Sequence, residues 1–125
     1  KEGLKEKVFL VDFVKDLSPY YQACDLFVLP SVENSEAFGI VQIEALAHGK
    51  PVINTNLATA VPEVSLDGET GFTVEPKNEV ALTIAINKIL LNNEIKERFS
   101  FNARKRANDN FNKDLFLKRI KEKLL

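Results

Sequence analysis

Short apolar segments alternate with helix-like segments along this chain, and that alternation limits the possible fold more than any other feature. The apolar segments, rich in β-branched and aromatic residues, are 7–14, 26–30, 51–55 and 72–75. Helical patterns follow them at 18–24, 38–48, 60–65 and 79–91. Strands that alternate with helices at short spacing form parallel β/α units with right-handed crossovers. The sequence therefore predicts an α/β fold, with a Rossmann-like parallel sheet of about four strands and flanking helices.

Capping signals predict where several helices begin and end. Ser18 is the expected cap of the first helix, with Pro19 at its first helical position. Gly49 is the expected left-handed terminator of the second helix. Asn78 is the expected cap of the helix that runs to about Leu91.

Apolar patterning predicts which faces are buried. The continuous run 26–30 is typical of a strand covered by helices on both sides. The helix 79–91 is expected to bury one broad face, formed by Val80, Ala81, Ile84, Ala85, Ile89 and Leu91. A further helix is expected at 94–107 and another at 113–125. Phe116, Ile120 and Leu124 repeat every four residues on the last one, which is more typical of core or docking surface than of a membrane anchor.

Length and composition predict one partial domain. The 125 residues suit a single domain, 1–125, whose last part, 94–125, is helical. Four strands are fewer than the five or six usual in a doubly wound sheet. The chain begins at Lys1 and contains no methionine. We therefore expect the sequence to be part of a longer protein, with the missing strands upstream.

Charge and cysteine content limit which cellular compartment and which binding partners are expected. The net charge of −1 favours neither nucleic acid nor membrane as a partner for the whole chain. Residues 94–125 carry ten Lys/Arg and five acids. This excess of positive charge permits peripheral contact with an anionic membrane, but a helix surface exposed to solvent is the simpler explanation. One cysteine fits a reducing compartment. No signal peptide or spanning segment is evident, so a cytoplasmic location is expected.

The loop between the second strand and the second helix predicts a ligand site. In parallel sheets, ligands bind beyond the carboxyl ends of the strands. Here the strand ends at Pro30, the polar loop 31–37 follows, and the helix begins near Phe38. The free N–H groups and positive dipole end of such a helix suit a phosphate, and Gly39 lets a ligand approach closely because it has no side chain.

Two glutamates flank this predicted phosphate seat. Ile40, Val41 and Glu44 share one helical face. Glu44 would lie about one turn, roughly 5 Å, beyond a diphosphate on the N–H groups near 39–41. That offset suits a ribose, whose vicinal hydroxyls a carboxylate can accept. Glu36 precedes the helix, where it can accept hydroxyls of a sugar on the distal phosphate. The spacing alone also fits solvent-facing glutamates.

The segment from Cys24 to Thr55 closely resembles the donor-site block of the retaining glycosyltransferase family 4, enzymes of the GT-B fold. The motif reads Pro-Ser, Glu, Phe-Gly, Glu-Ala, Gly and Pro-Val, in the order and spacing of residues 30–31, 36, 38–39, 44–45, 49 and 51–52. The later segment 61–76 resembles the family's next block. The resemblance spans about residues 7–110 and implies the C-terminal half of a GT-B nucleotide-sugar-binding domain.

The resemblance also implies site residues. Glu36 matches the glutamate that contacts the donor sugar, and we assign it the catalytic role. The implied donor-binding residues are Glu36, Ala37, Phe38, Gly39, Ile40, Val41 and Glu44. Glu44 matches the glutamate that binds the ribose. No metal and no cofactor is implied, since the UDP- or GDP-linked sugar is the substrate.

The implied function is transfer of a hexose from a nucleotide sugar to a glycan or lipid-linked acceptor, in bacterial surface polysaccharide synthesis. The acceptor domain and the upstream Arg and Lys that usually bind the diphosphate are absent from this sequence, and Asp12 stands where relatives commonly have Gly. The chain alone is therefore expected to be inactive. A non-catalytic nucleotide-sugar-binding remnant and a GT-B nucleotide-sugar epimerase remain alternatives.

Several other polar residues have simpler structural explanations. His48 suits the negative end of a helix, and Cys24 suits a packed apolar face. Asn54 and Thr55 end a strand at the ligand edge, where they either contact the donor or acceptor or are ordinary polar strand ends. Acidic residues at 63, 67 and 69 have no His or Cys cluster nearby, so no metal site is expected.

Overall fold

A three-stranded parallel sheet with five helices forms the part of the chain that the computed structural model describes, residues 6–12, 14–32 and 40–111. The elements in chain order are α1 (Ser18–Ala23), β1 (Phe27–Val28), α2 (Ile40–Ala47), β2 (Val52–Thr55), α3 (Val61–Val64), β3 (Gly71–Val74), α4 (Glu79–Leu90) and α5 (Asn93–Asn110). The predicted α/β class with a Rossmann-like parallel sheet is confirmed.

The sheet has the order β1-β2-β3, with β2 in the centre. Phe27 pairs with Val52 across β1 and β2, and Val52 in turn pairs with Gly71 of β3. All four residues of β2 are buried. A strand that is covered on both faces and both edges has no room for the polar/apolar alternation of a half-exposed strand.

Side chains on the two faces of β2 belong to different apolar clusters, because successive residues of a strand point to opposite faces. Val52 packs in the first cluster, with residues of α1, α2, α3 and α5. Ile53 packs in the second, with residues of α4, β3 and the start of α5. The long helix α5 joins both clusters, through Phe99 in the second and Ala103 and Ala107 in the first.

The helix ends confirm two of the predicted signals. Asn78 caps α4, because its Oδ1 accepts a hydrogen bond from the Ala81 N–H at 2.9 Å. Gly49 follows α2 with a φ of +71°, the left-handed conformation that glycine adopts without strain. Asn92 caps α5 in the same way, through the N–H of Ile95 at 3.2 Å.

The predicted strand 7–14 is wrong for the residues described there. Residues 8–12 and Val14 form neither strand nor helix. Val8, Phe9, Leu10 and Val11 are all exposed, and Leu10 is 98% accessible. A strand needs a neighbour for its backbone hydrogen bonds, and the described sheet is formed by β1, β2 and β3 alone. The pattern of about four strands therefore corresponds to three strands in the described residues.

The start of α1 differs from the prediction by one residue. Leu17 is the N-cap and Ser18 the first helical residue, so Pro19 is second. The carboxylate of Asp16 accepts the Ser18 N–H at 3.0 Å. An acceptor two positions earlier thus takes the capping role that the sequence assigned to the serine hydroxyl.

The burial of β1 and α4 also departs from the patterns. Leu26 to Leu29 are half-buried, not buried on both faces, because β1 lies at the end of the described sheet. On α4 the packed residues are Leu82, Ala85, Ile86 and Ile89, whereas Val80, Ile84 and Leu91 are at least half exposed. Both sets follow helical spacing, and the sheet covers only the first. The predicted helix 113–125 and its apolar repeat lie outside the described residues.

Candidate functional site

The carboxyl ends of the three strands surround a small apolar cavity of about 150 Å³. Val28, Ile53 and Val74, one from each strand, line it together with Asn78 and Leu82 of the α4 region. Thr55 also lines it, but its hydroxyl donates to the carbonyl of Ser31 at 2.6 Å. This is the edge at which open parallel sheets bind ligands, and it adjoins the end of β1 that leads toward α2.

Helix α2 has one outward and one inward face. Ile40 is 53% exposed, Glu44 is exposed and Val41 is half-buried between them. The inward face packs into the core through Gln42, Ile43, Ala45 and Leu46. The inward face fixes the helix in the core, so the carboxylate of Glu44 is presented to solvent one turn after the first residue of the helix.

Aromatic side chains support α2 beside Glu44. The Tyr21 hydroxyl donates to the carbonyl of Val41 at 3.3 Å, and the Tyr21 ring stacks on His48 with 5.2 Å between ring centroids. Nδ1 of His48 lies 2.8 Å from the Glu44 carbonyl oxygen. Burial, and secondarily the negative charge of Glu44, raises the pKa of Tyr21 to about 12. A neutral phenol therefore holds the first half of α2.

The other predicted donor residues, Glu36, Ala37, Phe38 and Gly39, lie outside the described residues. Their roles stay predictions. The structure brings Ile40, Val41 and Glu44 together on α2. It also describes Ser31 and Val32, which precede the predicted donor residues in the sequence.

Asn54 lines the cavity at the ligand edge, where its place at the end of the strand predicts it, but its side-chain amide is bonded within the core. It is fully buried, and its Nδ2 lies 2.8 Å from Oε1 of Gln42 on α2. Sequence reasoning missed Gln42 altogether. The available signal was one amide in the otherwise apolar inward face of α2 and another in the apolar strand 51–55, since buried polar side chains require partners.

Cys24 is half-buried and bonded to the backbone of α1. Burial raises the pKa of the Cys24 thiol, and its Sγ lies 3.4 Å from the Tyr21 carbonyl oxygen. Within residues 6–12, 14–32 and 40–111, no three His, Cys, Asp or Glu side chains are grouped closely enough to hold a metal ion. None of the helices described over the same ranges is long and apolar enough to span a membrane.

The family model for glycosyl transferases group 1 matches residues 1–106, most of the chain. The chain belongs to the glycosyl transferases group 1 family. Among curated members, the chain is 36% identical to the capsular polysaccharide biosynthesis glycosyltransferase CapM of Staphylococcus aureus, over 86% of the chain and 28% of that protein. It is 31% identical to the O-antigen chain mannosyltransferase C of Escherichia coli, over 91% of the chain and 31% of that protein. The chain thus spans less than a third of the length of these relatives.

Solved structures of group 1 glycosyltransferases and related proteins share this fold. HepE of Anabaena in complex with UDP-glucose superposes with a TM-score of 0.87 and 29% identity, over 98% of this chain and 33% of that chain. The C-terminal domain of the group 1 glycosyltransferase LpcC of Francisella tularensis superposes with a TM-score of 0.78 and 26% identity, over 89% and 57%. The described fold is therefore a GT-B Rossmann-like domain, as the resemblance implied.

Proposed function

We propose that this chain is the donor-binding part of a retaining glycosyltransferase that transfers a hexose from a nucleotide sugar to a glycan or lipid-linked acceptor. The proposed setting is surface polysaccharide synthesis at the cytoplasmic side of the membrane. CapM and the O-antigen mannosyltransferase, by their names, act in capsule and O-antigen synthesis. HepE, a structural neighbour, holds UDP-glucose.

The exposed carboxylate of Glu44 carries this proposal. It lies on the outward face of a helix whose inward face is locked in the core. A solvent-facing carboxylate has unused acceptor positions and can receive both vicinal hydroxyls of a ribose. In the proposed complex, Glu44 binds the ribose, and the backbone near Ile40 and Val41 approaches the diphosphate.

The start of α2 would favour the charge that develops during transfer. Unpaired N–H groups and the helix dipole stabilise negative charge at a helix N-terminus. In the proposed reaction, an acceptor hydroxyl oxygen bonds to the anomeric carbon on the face from which the nucleoside diphosphate departs. The bond to the diphosphate breaks with its electron pair on the diphosphate oxygen, which takes the acceptor proton. The helix N–H groups act on that leaving oxygen, and Glu36 contacts the sugar.

A calorimetric titration of the chain with UDP, GDP, ADP and the sugar conjugates UDP-glucose and GDP-mannose tests donor binding. We expect saturable binding of one nucleotide and its conjugate, weakened about tenfold in Glu44→Gln, because that change removes a charged acceptor from the ribose hydroxyls. Glu97→Gln is the matched control, since Glu97 is an exposed glutamate on α5. It should bind like the unchanged chain.

Other outcomes would contradict the proposal in identifiable ways. Equal affinity in Glu44→Gln would remove Glu44 from the ribose site. Absence of binding by every nucleotide would oppose a donor-binding role for this chain. A longer protein that contains the chain can be assayed by NMR for hexose transfer with retained anomeric configuration. Such transfer would distinguish a transferase from a binding remnant or an epimerase.

A further inference from the structure

A pair of buried amide side chains joins α2 to the central strand. Oε1 of Gln42 accepts a hydrogen bond from Nδ2 of Asn54 at 2.8 Å, and both side chains are fully buried. Nε2 of Gln42 donates to the carbonyl of Val61 at 3.1 Å. The pair therefore links α2, β2 and the first residue of α3.

Asn54 extends this link to β3 and to the end of α3. Its Nδ2 also lies 3.0 Å from the Val61 carbonyl oxygen and 3.1 Å from that of Ser65. The Thr73 hydroxyl donates to Oδ1 of Asn54 at 2.6 Å. Across the described residues, every buried side-chain nitrogen and oxygen has a partner. The amide network of Gln42, Asn54 and Thr73 is thus satisfied on all sides.

The amide network restricts rotation of α2 about its own axis more strongly than apolar packing does. Hydrogen bonds are directional, whereas contacts such as those of Ile43 and Leu46 tolerate small rotations of a helix. Gln42 and Glu44 are two positions apart, which places their side chains about 200° apart around the helix axis. Fixing Gln42 in the core therefore fixes the direction of the Cα–Cβ bond of Glu44, from which its carboxylate reaches outward.

We propose that Gln42 and Asn54 are positioning residues that aim the Glu44 carboxylate at the two ribose hydroxyls of the donor. This inference rests on the proposed function. Two hydroxyls can be accepted together only within a narrow range of carboxylate orientation, so a loosened α2 loses part of this contact. Gln42 and Asn54 thus affect recognition of the ribose, and not recognition of the base or of the hexose on the distal phosphate.

The test measures a preference, not an affinity alone. The chain is titrated with UDP and 2′-deoxy-UDP, and in parallel with GDP and 2′-deoxy-GDP. The unchanged chain should prefer the ribonucleotide about tenfold, the size of one charge-assisted hydrogen bond. Both members of a pair bind the same folded population, so partial unfolding alters both affinities and leaves their ratio unchanged. The ratio therefore separates positioning from stability.

Three variants make the test specific. Gln42→Met with Asn54→Leu replaces both amides by apolar groups of similar size, so neither amide is left unpaired, although the Val61 and Ser65 carbonyls lose these donors. Thr73→Val removes only the hydroxyl at the edge of the network and keeps the result interpretable if the double variant does not fold. Ser65→Ala is the control, because its hydroxyl bonds Thr70 at 2.7 Å in the same buried region without touching α2.

We expect the ribose preference to fall about threefold or more in the double variant and less in Thr73→Val, because one charge-assisted contact is weakened but not removed. Ser65→Ala should lose stability and keep the preference. The positioning proposal is overturned if the double variant, or Thr73→Val when the double variant is unfolded, keeps the full preference while Glu44→Gln loses it. If Glu44→Gln also keeps the preference, or no nucleotide binds, the proposed function fails and the positioning role with it.

Discussion

The Arg104 side chain on α5 occupies the space that a Cβ on Gly49 would need, with Arg104 Cζ and Nε 2.5 Å from that position. Gly49 ends α2 in the left-handed region, at φ +71°. The backbone at the C-terminal end of α2 therefore packs directly against Arg104 of α5. The missing side chain at Gly49 both permits the left-handed conformation and leaves room for Arg104.

Gly49→Ala should destabilise the fold by about 1–2 kcal/mol, the cost of the left-handed backbone for a residue with a Cβ. The Arg104 atoms nearest the new Cβ belong to the guanidinium end of an exposed side chain, which can move at little further cost. Gly68→Ala is the matched control, because Gly68 has a φ of +80° and open space around it. Urea unfolding should show similar losses for the two variants. A clearly larger loss for Gly49→Ala would mean that Arg104 cannot move away freely.

Arg106→Ala should lower the free energy of unfolding by about 1.5–3 kcal/mol, the range for hydrogen bonds to charged groups. Its Nε donates to the Val64 carbonyl at 2.7 Å and its Nη2 to the Glu63 carbonyl at 2.6 Å. Arg106→Lys should recover only part of this, because an ammonium cannot reproduce the planar fork. Lys105→Ala, which removes an exposed ion pair with Asp109, should change stability by less than about 0.5 kcal/mol.

Asn78→Ala should cost about 1 kcal/mol, the usual effect of losing an N-cap. The bond from the Ala81 N–H to the Asn78 side chain is the interaction that disappears. Asn87→Ala, at an exposed position inside the same helix, should be neutral or slightly stabilising, because alanine has the higher helix propensity. Thermal unfolding of the two variants compares them directly. A larger loss for Asn87→Ala would contradict the capping role.

Tyr21 predicts a loss of stability in alkali. Its pKa is raised in the folded protein to about 12 from the ordinary tyrosine value of 10.0, chiefly by burial. The folded state therefore keeps the phenolic proton longer than the unfolded state. The resulting stabilisation is complete below pH 10 and is lost as the pH rises toward 12. Unfolding free energies of the unchanged chain should fall more steeply over this window than those of Tyr21→Phe. Parallel slopes would contradict the shift.

Nucleotide binding should be independent of divalent metal, as the family resemblance implies. Titrations with the nucleotide that binds, performed in EDTA and in Mg²⁺, should give the same dissociation constant. An accompanying Glu44→Gln titration under both conditions identifies whether any metal effect passes through that carboxylate. A marked loss of affinity in EDTA would assign a metal to the donor complex and contradict the expectation of a metal-free site.

Local chemistry predicted the central parts of the fold well. The apolar run that forms β2, the cap at Asn78 and the left-handed Gly49 are each visible in a few consecutive residues, so short-range signals were sufficient. Glu44 was likewise singled out by its spacing from the start of the helix and is exposed on α2. Its proposed contact with ribose stays a prediction.

Features set by distant neighbours were harder to predict. The segment 8–11 has the composition of a strand, but pairing depends on which other strands are present. The apolar residues of α4 fall on two faces, and the position of the sheet decides which is buried. Asn54 lies at the predicted ligand edge, but its side chain is bonded to Gln42, twelve residues earlier, and no signal from close neighbours predicts that partner.

The hydrogen bond between Gln42 and Asn54 should couple the evolution of these two positions. A substitution at either position alone leaves the other amide buried with a missing partner, so an evolving lineage would pass through a weakened intermediate. Related sequences are therefore expected to change the two positions together. A chimaera that takes α2 from one family member and the central strand from another should lose stability when the two parents differ at these positions.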